Sequence, residues 1–348
     1  MASSITWREL VSQPARWRKL AIRAPAPSAL WEDVQTAEQV VVFGSGSSYY
    51  LAALVGDTIE RITGRRVLAL PSCEVMLDPD RTLPPIAGQR LAIGFSRSGE
   101  SSEVLLAAGI MRERGIPVLG VTCTAGSSLS RDASECLVVP EGHEDGMVML
   151  RSFTCMALAC RMALGPRAIG LTEGDVPGAL ARMADAGEAV LRNEEGPIAA
   201  LTTARRFDRF VLLGSGADYP LAQEASLKLQ EMATVTTEAY YTLEYRHGPR
   251  STGDAQTLAT MFAPAQTDLG VSLVRDLAGQ GLATLVIGGD VGAYRGVATA
   301  VVSVGTALPE PLCQLLALLP VQLLAFATAT RTGQDPDAPR NLAKVVLF

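Results

Sequence analysis

The sequence predicts an α/β protein of two similar lobes, each a parallel sheet flanked by helices. First, short apolar strand-like runs alternate with stretches of helical spacing along most of the chain. Second, VVFGSGSSY at residues 41–49 returns as VLLGSGADY at residues 211–219, which indicates an internal repeat. Third, a length of 348 residues with 48% hydrophobic and 19% charged residues suits two well-buried domains.

The elements follow in order along the chain. Thr6 and Glu9 have the spacing of a capping box that opens an N-terminal helix, which RAPAP at residues 23–27 would end. An Ala-rich helix over residues 178–203 is expected to join the lobes, and residues 335–348, with two prolines, are expected to be a tail. Helices are also expected over 49–62 and up to Met232. The predicted strands are 40–43, 91–95, 118–122 and 136–139 in the first lobe, and 210–213, 257–262, 283–287 and 300–304 in the second.

Composition disfavours several classes of protein. A net charge of −6 and a pI near 5.2 argue against a nucleic-acid partner. Six cysteines without a CxxC pair and only two histidines argue against a zinc site, and no metal is expected. Reduced thiols and the absence of an apolar signal core indicate a soluble cytoplasmic protein. The most apolar stretch, 312–327, contains glutamines and a proline and is too short for a membrane span, so it predicts a buried helix.

The first candidate site is the turn Ser96-Arg97-Ser98-Gly99-Glu100-Ser101, between a predicted strand and a helix that begins near Ser101. Such a junction presents backbone N–H groups and the positive end of a helix dipole. Three hydroxyls around a glycine favour a phosphate monoester as ligand. The alternative is an ordinary turn in which one serine caps the helix.

A second turn, Gly44 to Tyr49, has the same placement after a strand. Its GxG lacks the third glycine of a dinucleotide fingerprint, so a structural turn and a sugar-binding turn are equally supported. Ligands of open α/β sheets bind beyond the carboxyl ends of the strands, so both serine-rich turns could meet at one ligand.

Three later segments carry charged or titratable side chains. Glu224, Lys228 and Glu231 share one helical face, which by spacing alone indicates a solvated ion pair and otherwise a general base. His247 lies in a loop, because Gly-Pro follows it, and is either structural or a proton shuttle. Lys344 is in the tail, where lysines are usually solvated.

Together these segments resemble the tandem form of the SIS (sugar isomerase) family, and the likeness runs from about residue 40 to the C-terminus. The phrases that carry it are SRSGES, LGSGADYPLAQEASLKLQEM, EAYYTLEYRHGP and PRNLAK, in the family's order. The resemblance implies two SIS domains, each a three-layer αβα sandwich of flavodoxin-like type. The expected boundaries are a helical segment over 1–28, the domains over 29–175 and 200–334, and a tail over 335–348 that closes the active site.

The resemblance also implies roles for individual residues. Glu231 matches the base that moves a proton between C1 and C2, with Lys228 one turn away. His247 matches a ring-opening histidine that acts across a homodimer interface, and Lys344 matches a lysine that forms an imine with the open-chain ketose. The residues expected to bind substrate or its phosphate are Ser47, Ser48, Ser96, Arg97, Ser98, Ser101, Glu224 and Ala343.

The expected function is aldose–ketose isomerisation of a hexose 6-phosphate, most simply an amino sugar, with deamination of glucosamine 6-phosphate without glutamine. No cofactor is required, because a carboxylate base and cationic groups suffice. Val148 to Arg151 and Arg246 depart from the synthase branch of the family and resemble the stand-alone deaminases and isomerases. No glutaminase half is expected. The alternatives are an isomerase of a non-amino sugar phosphate and a non-catalytic sugar-phosphate sensor.

Overall fold

The computed structural model describes residues 3–23, 29–172, 175–263, 268–305 and 307–348. The predicted break at 23–27 therefore lies, apart from Arg23, outside the described residues. The strands are β1 Gln39–Gly44, β2 Val67–Pro71, β3 Arg90–Phe95, β4 Val118–Thr122, β5 Glu135–Val138, β6 Arg209–Gly214, β7 Thr236–Tyr241, β8 Thr257–Phe262, β9 Ala283–Gly288 and β10 Ala300–Ser303.

The α-helices of the described residues alternate with these strands. They are α1 Ile5–Val11, α2 Gln13–Arg23, α3 Ala29–Val34, α4 Ser47–Thr63, α5 Ser72–Leu77, α6 Pro79–Thr82, α7 Ser102–Glu113, α8 Ser128–Asp132, α9 Arg151–Ala163, α10 Val176–Ala204, α11 Asp218–Ala233, α12 Asp268–Gly279, α13 Glu310–Leu316 and α14 Leu318–Thr332. The Ala-rich stretch at 178–203 is helical as predicted, within α10.

The strands form two five-stranded sheets in which the paired strands are all parallel. The first sheet has the order β2-β1-β3-β4-β5 and the second the order β10-β9-β8-β6-β7. Numbered within its own sheet, each is a 2-1-3-4-5 arrangement, the flavodoxin-like order. The predicted fold class is confirmed. Two strands, β2 and β7, were not predicted.

The chain divides into two compact units, one around each sheet. The first-sheet unit comprises Ala15–Asp145, Met149–Gly178 and Ala343–Phe348, and the second-sheet unit comprises Met1–Pro14, Gly146–Val148 and Ala179–Leu342. In the first, β1, β3 and β4 are almost wholly buried, with Val41, Phe43 and Ala92 in the core. In the second, Val211, Leu213 and Val286 occupy the matching core. Continuous apolar strands of this kind are typical of parallel sheets covered on both faces.

The repeated GSG turns have matching geometry. Gly46 and Gly216 have φ of 56° and 57°, and the next helices begin one and two residues later, at Ser47 and Asp218. Ser48 N donates to Ser45 O at 3.1 Å, and Asp218 N donates to Ser215 O at 3.1 Å. The sequence repeat is therefore a repeat of backbone conformation.

The predicted capping box is wrong. Ser4 is the N-cap of α1, where its hydroxyl accepts from Trp7 N at 3.2 Å. Thr6 lies inside the helix, and its hydroxyl donates to Pro336 O at 3.0 Å. The N-cap position is two residues earlier than predicted, and Asp337 accepts from the free N–H groups of residues 5 and 6 at 2.8 and 2.7 Å.

The segment Glu310–Thr332 is long and apolar enough, by length and composition, to cross a membrane. The prediction that this stretch is too short was therefore wrong. However, 89% of its most apolar window is buried inside the fold, as expected of a core helix. It is divided at Ala317 into α13 and α14, and α14 packs against α11 and against α1, where the rings of Trp7 and Phe326 are 5.0 Å apart.

Candidate functional site

The Ser96–Ser101 turn connects β3 to α7 and turns its hydroxyls inward. Ser96 is 1% exposed, and its Oγ accepts from Gly99 N at 3.0 Å and lies 3.3 Å from Ser101 Oγ. Ser98 Oγ accepts from Glu100 N at 3.1 Å. The turn thus gathers hydroxyls at the N-terminus of a twelve-residue helix, which is the arrangement that holds anions.

Gly99 is required by the shape of this turn. Its φ of +71° is a left-handed conformation that side chains rarely adopt. A Cβ at this position would lie 2.1 Å from Ser127 Oγ and 2.5 Å from Ser127 Cβ. Both the backbone conformation and the space therefore exclude a larger residue.

The alternative in which a serine simply caps α7 is not what the structure has. Ser101 occupies the N-cap position, but its side chain makes no capping hydrogen bond. The first helical N–H, on Ser102, donates instead to Val346 O of the tail at 3.1 Å, and Phe348 N donates to Ser102 Oγ at 3.2 Å. The tail therefore lies against the start of α7.

The second serine-rich turn, Gly44 to Tyr49, follows β1, which pairs directly with β3. The two turns therefore lie at the same edge of the sheet. They flank the β1/β3 switch point, where the strand order reverses and where ligands bind in open α/β sheets. Ser47 and Ser48 are each 6% exposed, and Ser48 Oγ is 3.8 Å from Met149 Sδ. The predicted meeting of the two turns at one edge is what the strand order produces.

Arg97, in the first turn, points its guanidinium at a buried carboxylate that sequence reasoning missed. Nη1 is 3.3 Å from Glu144 Oε2, and the two side chains are 9% and 0% exposed. Glu144 also accepts from Leu150 N at 2.8 Å, from Ser152 N at 3.1 Å and from Ser152 Oγ at 2.5 Å. It therefore caps the N-terminus of α9 and neutralises Arg97 at once.

Lys344 and Ala343 belong to the first-sheet unit together with the serine turns. Lys344 Nζ donates to the carbonyl oxygens of Glu144 and Asp145 at 2.8 and 2.9 Å, and Lys344 O accepts from Arg97 Nη2 at 3.3 Å. The tail lysine, dismissed as solvated on sequence alone, is thus held at both its amine and its carbonyl, close to the Ser96–Ser101 turn.

The three charged residues of α11 form a buried cluster in the second-sheet unit. Lys228 is 1% exposed, and its Nζ is 3.3 Å from Glu224 Oε1 and 2.5 Å from Glu231 Oε2. Burial lowers the pKa of Lys228, but the two carboxylates raise it more, and the balance lies above its ordinary value. The lysine is therefore charged at neutral pH and sits between two carboxylates. Only Glu231, with its side chain 14% exposed, reaches the surface of the unit.

His247 follows a short 3₁₀ turn over Glu244–Arg246 in the same unit, and its backbone N donates to Glu244 O at 2.9 Å. The residue is exposed, and the next residue, Gly248, has φ of +121°. Arg246 turns away from it, to Asp276 at 3.0 Å and to Ser272 at 3.2 Å. The imidazole is therefore presented to solvent from a loop.

The predicted site residues thus form two sets. The serine turns, Arg97, Ala343 and Lys344 lie in the first-sheet unit, and Glu224, Lys228, Glu231 and His247 lie in the second-sheet unit. No group of three or more metal-binding side chains lies together among the described residues.

Comparison with known proteins finds a matching family model and several related proteins. Residues 34–165 match the SIS domain family. The glutamine–fructose-6-phosphate aminotransferase (isomerizing) of Pyrobaculum aerophilum is 31% identical over 321 residues, which are 89% of this chain and 51% of that protein. The chain spans about half the length of the curated relatives it matches.

Solved structures match over the whole chain. The glucosamine-6-phosphate deaminase of Thermotoga maritima is 27% identical, with a TM-score of 0.83 over 99% of this chain and 100% of that one. The tagatose-6-phosphate ketose/aldose isomerase of Escherichia coli, at 22% identity and a TM-score of 0.82 over 97% and 95%, shares the fold. Residues 34–165 therefore resemble an SIS domain, and the chain is similar in sequence to the isomerizing glutamine–fructose-6-phosphate aminotransferases and to a glucosamine-6-phosphate deaminase.

Proposed function

We propose that the chain is an aldose–ketose isomerase of an amino-hexose 6-phosphate that deaminates glucosamine 6-phosphate without glutamine. The observation that carries the proposal is the Ser96–Ser101 turn, a built anion site within the SIS domain. We further propose that residues 29–175 and 200–334 are two SIS domains and that the enzyme is a cytoplasmic homodimer. The likeness over full length to the Thermotoga maritima deaminase supports the choice of reaction.

The first-sheet unit would hold the phosphate end of the substrate. Ser96, Ser98 and Ser101 supply hydroxyl donors, and the start of α7 supplies the positive end of a helix dipole. Ser47 and Ser48 extend the site along the neighbouring strand. Binding energy from this remote phosphate would be available to orient the reacting carbons.

Glu231 would be the base. It would take the proton from C2 of the open-chain aldose and return it to C1, so that a C1 aldehyde becomes a C1 alcohol without change in overall oxidation state. Lys228 supports this role, since its ammonium pairs with the Glu231 carboxylate and would offset the negative charge that develops on the sugar oxygen. Glu224 completes the cluster by holding the other side of the ammonium.

With an amine on C2, the same proton transfer produces a C2 imine. Water adds to that carbon, the C–N bond breaks, and the products are fructose 6-phosphate and ammonia. The reaction consumes one water and needs no oxidant, reductant or glutamine. Lys344 would act at the ketose, where its amine and the C2 ketone can form an imine with loss of water.

His247 would assist ring opening in the site of the partner subunit of the proposed dimer. The support is its exposure on a loop and the absence of a side-chain hydrogen bond to it among the described residues. An imidazole placed at the sugar ring can act as a general acid and protonate the ring oxygen as the ring opens.

The test is incubation of the purified chain with glucosamine 6-phosphate and no glutamine. We expect stoichiometric ammonia and fructose 6-phosphate, and a loss of about 10²- to 10⁴-fold in rate for Glu231→Gln. The matched control is Glu194→Gln, which makes the same substitution at a glutamate of α10 in the same unit. If no ammonia forms, the deaminase proposal is wrong. If the Glu231 variant keeps full activity, the assignment of the base is wrong.

One observation favours a second candidate, an isomerase of a non-amino sugar phosphate. Met149 Sδ, an apolar atom, lies against Ser48, where the resembling synthases carry small hydroxyl residues. Hexose 6-phosphates without an amine, followed by NMR in deuterated water, distinguish the candidates. Deuterium uptake at C1 or C2, with no ammonia from any substrate, would favour the isomerase of a non-amino sugar phosphate. Binding without any deuterium exchange would indicate a sensor.

A further inference from the structure

The amine of the tail lysine is held by main-chain groups that do not belong to the predicted site. It donates to the carbonyl oxygens of Glu144 and Asp145, and the carbonyl of Lys344 accepts from the guanidinium of Arg97. These three hydrogen bonds hold Lys344 in a defined place.

Glu144 and Arg97 form a buried ion pair. The Glu144 carboxylate accepts from three donors of α9 and its N-terminal approach, and it pairs with Arg97 at 3.3 Å. This fixes the 144–145 peptide, whose oxygens receive the lysine, and orients the guanidinium, which receives the lysine's carbonyl. The Arg97 guanidinium thus contacts both the Glu144 carboxylate and the tail carbonyl.

We propose that Glu144 and Arg97 are positioning residues for Lys344, and that Arg97 acts on the tail and not on the substrate phosphate. Arg97 sits within the phosphate turn, so the pair ties the position of the amine to the conformation of that turn. The catalytic meaning of this inference rests on the proposed function, whereas the positioning itself does not.

The chain is well suited to a direct test, because it contains only three lysines: Lys19, Lys228 and Lys344. Lys228 is 1% exposed, while Lys19 and Lys344 are both exposed. Acylation of the full chain with an acetyl N-hydroxysuccinimide ester, mapped by peptide mass spectrometry, therefore yields a Lys344-to-Lys19 rate ratio. Lys19 serves as the internal reference, and no substrate is needed.

We expect Arg97→Gln and Glu144→Gln to raise that ratio about tenfold, the factor expected when a hydrogen bond to a charged group is lost. Arg97→Lys should fall between these variants and the wild type. The matched control is Arg90→Gln: Arg90 is also buried, in the same unit, and bonds to Gln39 and to Pro84 O instead of to the tail. We expect its ratio to stay within twofold of the wild type.

The inference is overturned if Arg97→Gln and Arg97→Lys, both folded, leave the ratio where Arg90→Gln leaves it. A second measurement addresses the proposed function separately. Fructose 6-phosphate and borohydride trap a Lys344 imine, hydride reducing its C=N bond to a secondary amine. Absence of the adduct in the wild type refutes the proposed imine step and not the positioning. An adduct that forms in the wild type and in Arg90→Gln, but about tenfold less in Arg97→Gln, supports both.

Discussion

Substitution of Gly99 by alanine tests whether the phosphate turn is built as described. Two separate penalties arise from the structure. A non-glycine residue at φ of +71° costs about 1–2 kcal/mol of folding free energy. The new Cβ would also lie 2.1 Å from Ser127 Oγ, and relieving such overpacking costs roughly 1–3 kcal/mol. We therefore expect Gly99→Ala to lower the free energy of unfolding by about 2–5 kcal/mol.

Gly115 offers a matched control for the backbone penalty. It has φ of +72° in the same unit, just after α7, and a Cβ there would meet nothing within 4 Å. Gly115→Ala should therefore cost about 1–2 kcal/mol only. Ser127→Gly in the Gly99→Ala background removes the two nearest atoms and leaves Thr122 Oγ1 at 3.0 Å, and glycine replaces a helix N-cap at a loss of only a few tenths of a kcal/mol. The double variant should recover most of the overpacking cost and approach the stability of Gly115→Ala.

The assay is denaturant-induced unfolding of the three variants, with binding of fructose 6-phosphate measured in parallel. Because Gly99 lies among the phosphate donors, Gly99→Ala should also weaken that binding, whereas Gly115→Ala should not. Equal stabilities of Gly99→Ala and Gly115→Ala would refute the argument that contact with Ser127 sets the turn.

Three further predictions follow from the same structure. Ser96→Ala and Ser101→Ala should each raise the KM for a hexose 6-phosphate about tenfold with kcat little changed, as steady-state kinetics would show; a fall in kcat alone would contradict a phosphate role. Lys228→Met should lower the free energy of unfolding by about 3–5 kcal/mol, because it leaves Glu224 buried without its cation, and adding Glu224→Gln should recover part of the loss. Despite partial burial, hydrogen bonds from residues 4–6 hold the pKa of Asp337 below its ordinary 3.8, so its contribution to stability should be present above about pH 4 and lost as pH falls below it. Asp337→Asn should lose this acid dependence in unfolding measured from pH 5 downward, and an unchanged profile would contradict the assignment.

The inner strands of both sheets were predictable because they are apolar along most of their length. β1, β3, β4, β6, β8 and β9 are buried at nearly every position, and a strand covered on both faces has no need of polar residues. The two strands that were missed occupy matching places at a sheet edge. β2 is only half-buried and ends in proline, and β7 contains two threonines and a glutamate. Their strand character comes from pairing with β1 and β6, which local sequence does not encode.

The charged face of α11 shows a similar limit. Spacing correctly places Glu224, Lys228 and Glu231 on one side of a helix, but it favours a solvated pair. The structure buries that side, because α11 packs on α14 as well as on β6 and β7. α14 lies about 100 residues further along the chain, so no local pattern reports the contact.

Glu144 was missed because its contacts are also with residues far away in the sequence. On sequence alone it is one acidic residue in a loop, with no periodic or capping signature. Its importance arises from Arg97, 47 residues earlier, and from Lys344, 200 residues later. A usable signal would have been a glutamate shortly before a helix that begins without an obvious N-cap, since the free N–H groups of α9 need an acceptor.

The two GSG turns show how one backbone serves two chemistries. The glycine conformation and the backbone bonds repeat, but the two residues that follow the second glycine are Ser47 and Ser48 in one unit and Ala217 and Asp218 in the other. Two hydroxyls can donate to an anion, whereas a methyl group cannot and a carboxylate repels it. The strand order therefore builds an equivalent sheet edge twice, while the hydroxyls that our proposal assigns to the phosphate follow the second glycine in the first unit. The equivalent of the Ser96–Ser101 turn in the second unit falls on residues 264–267, outside the described residues. The family match, at residues 34–165, contains both serine turns of the first unit.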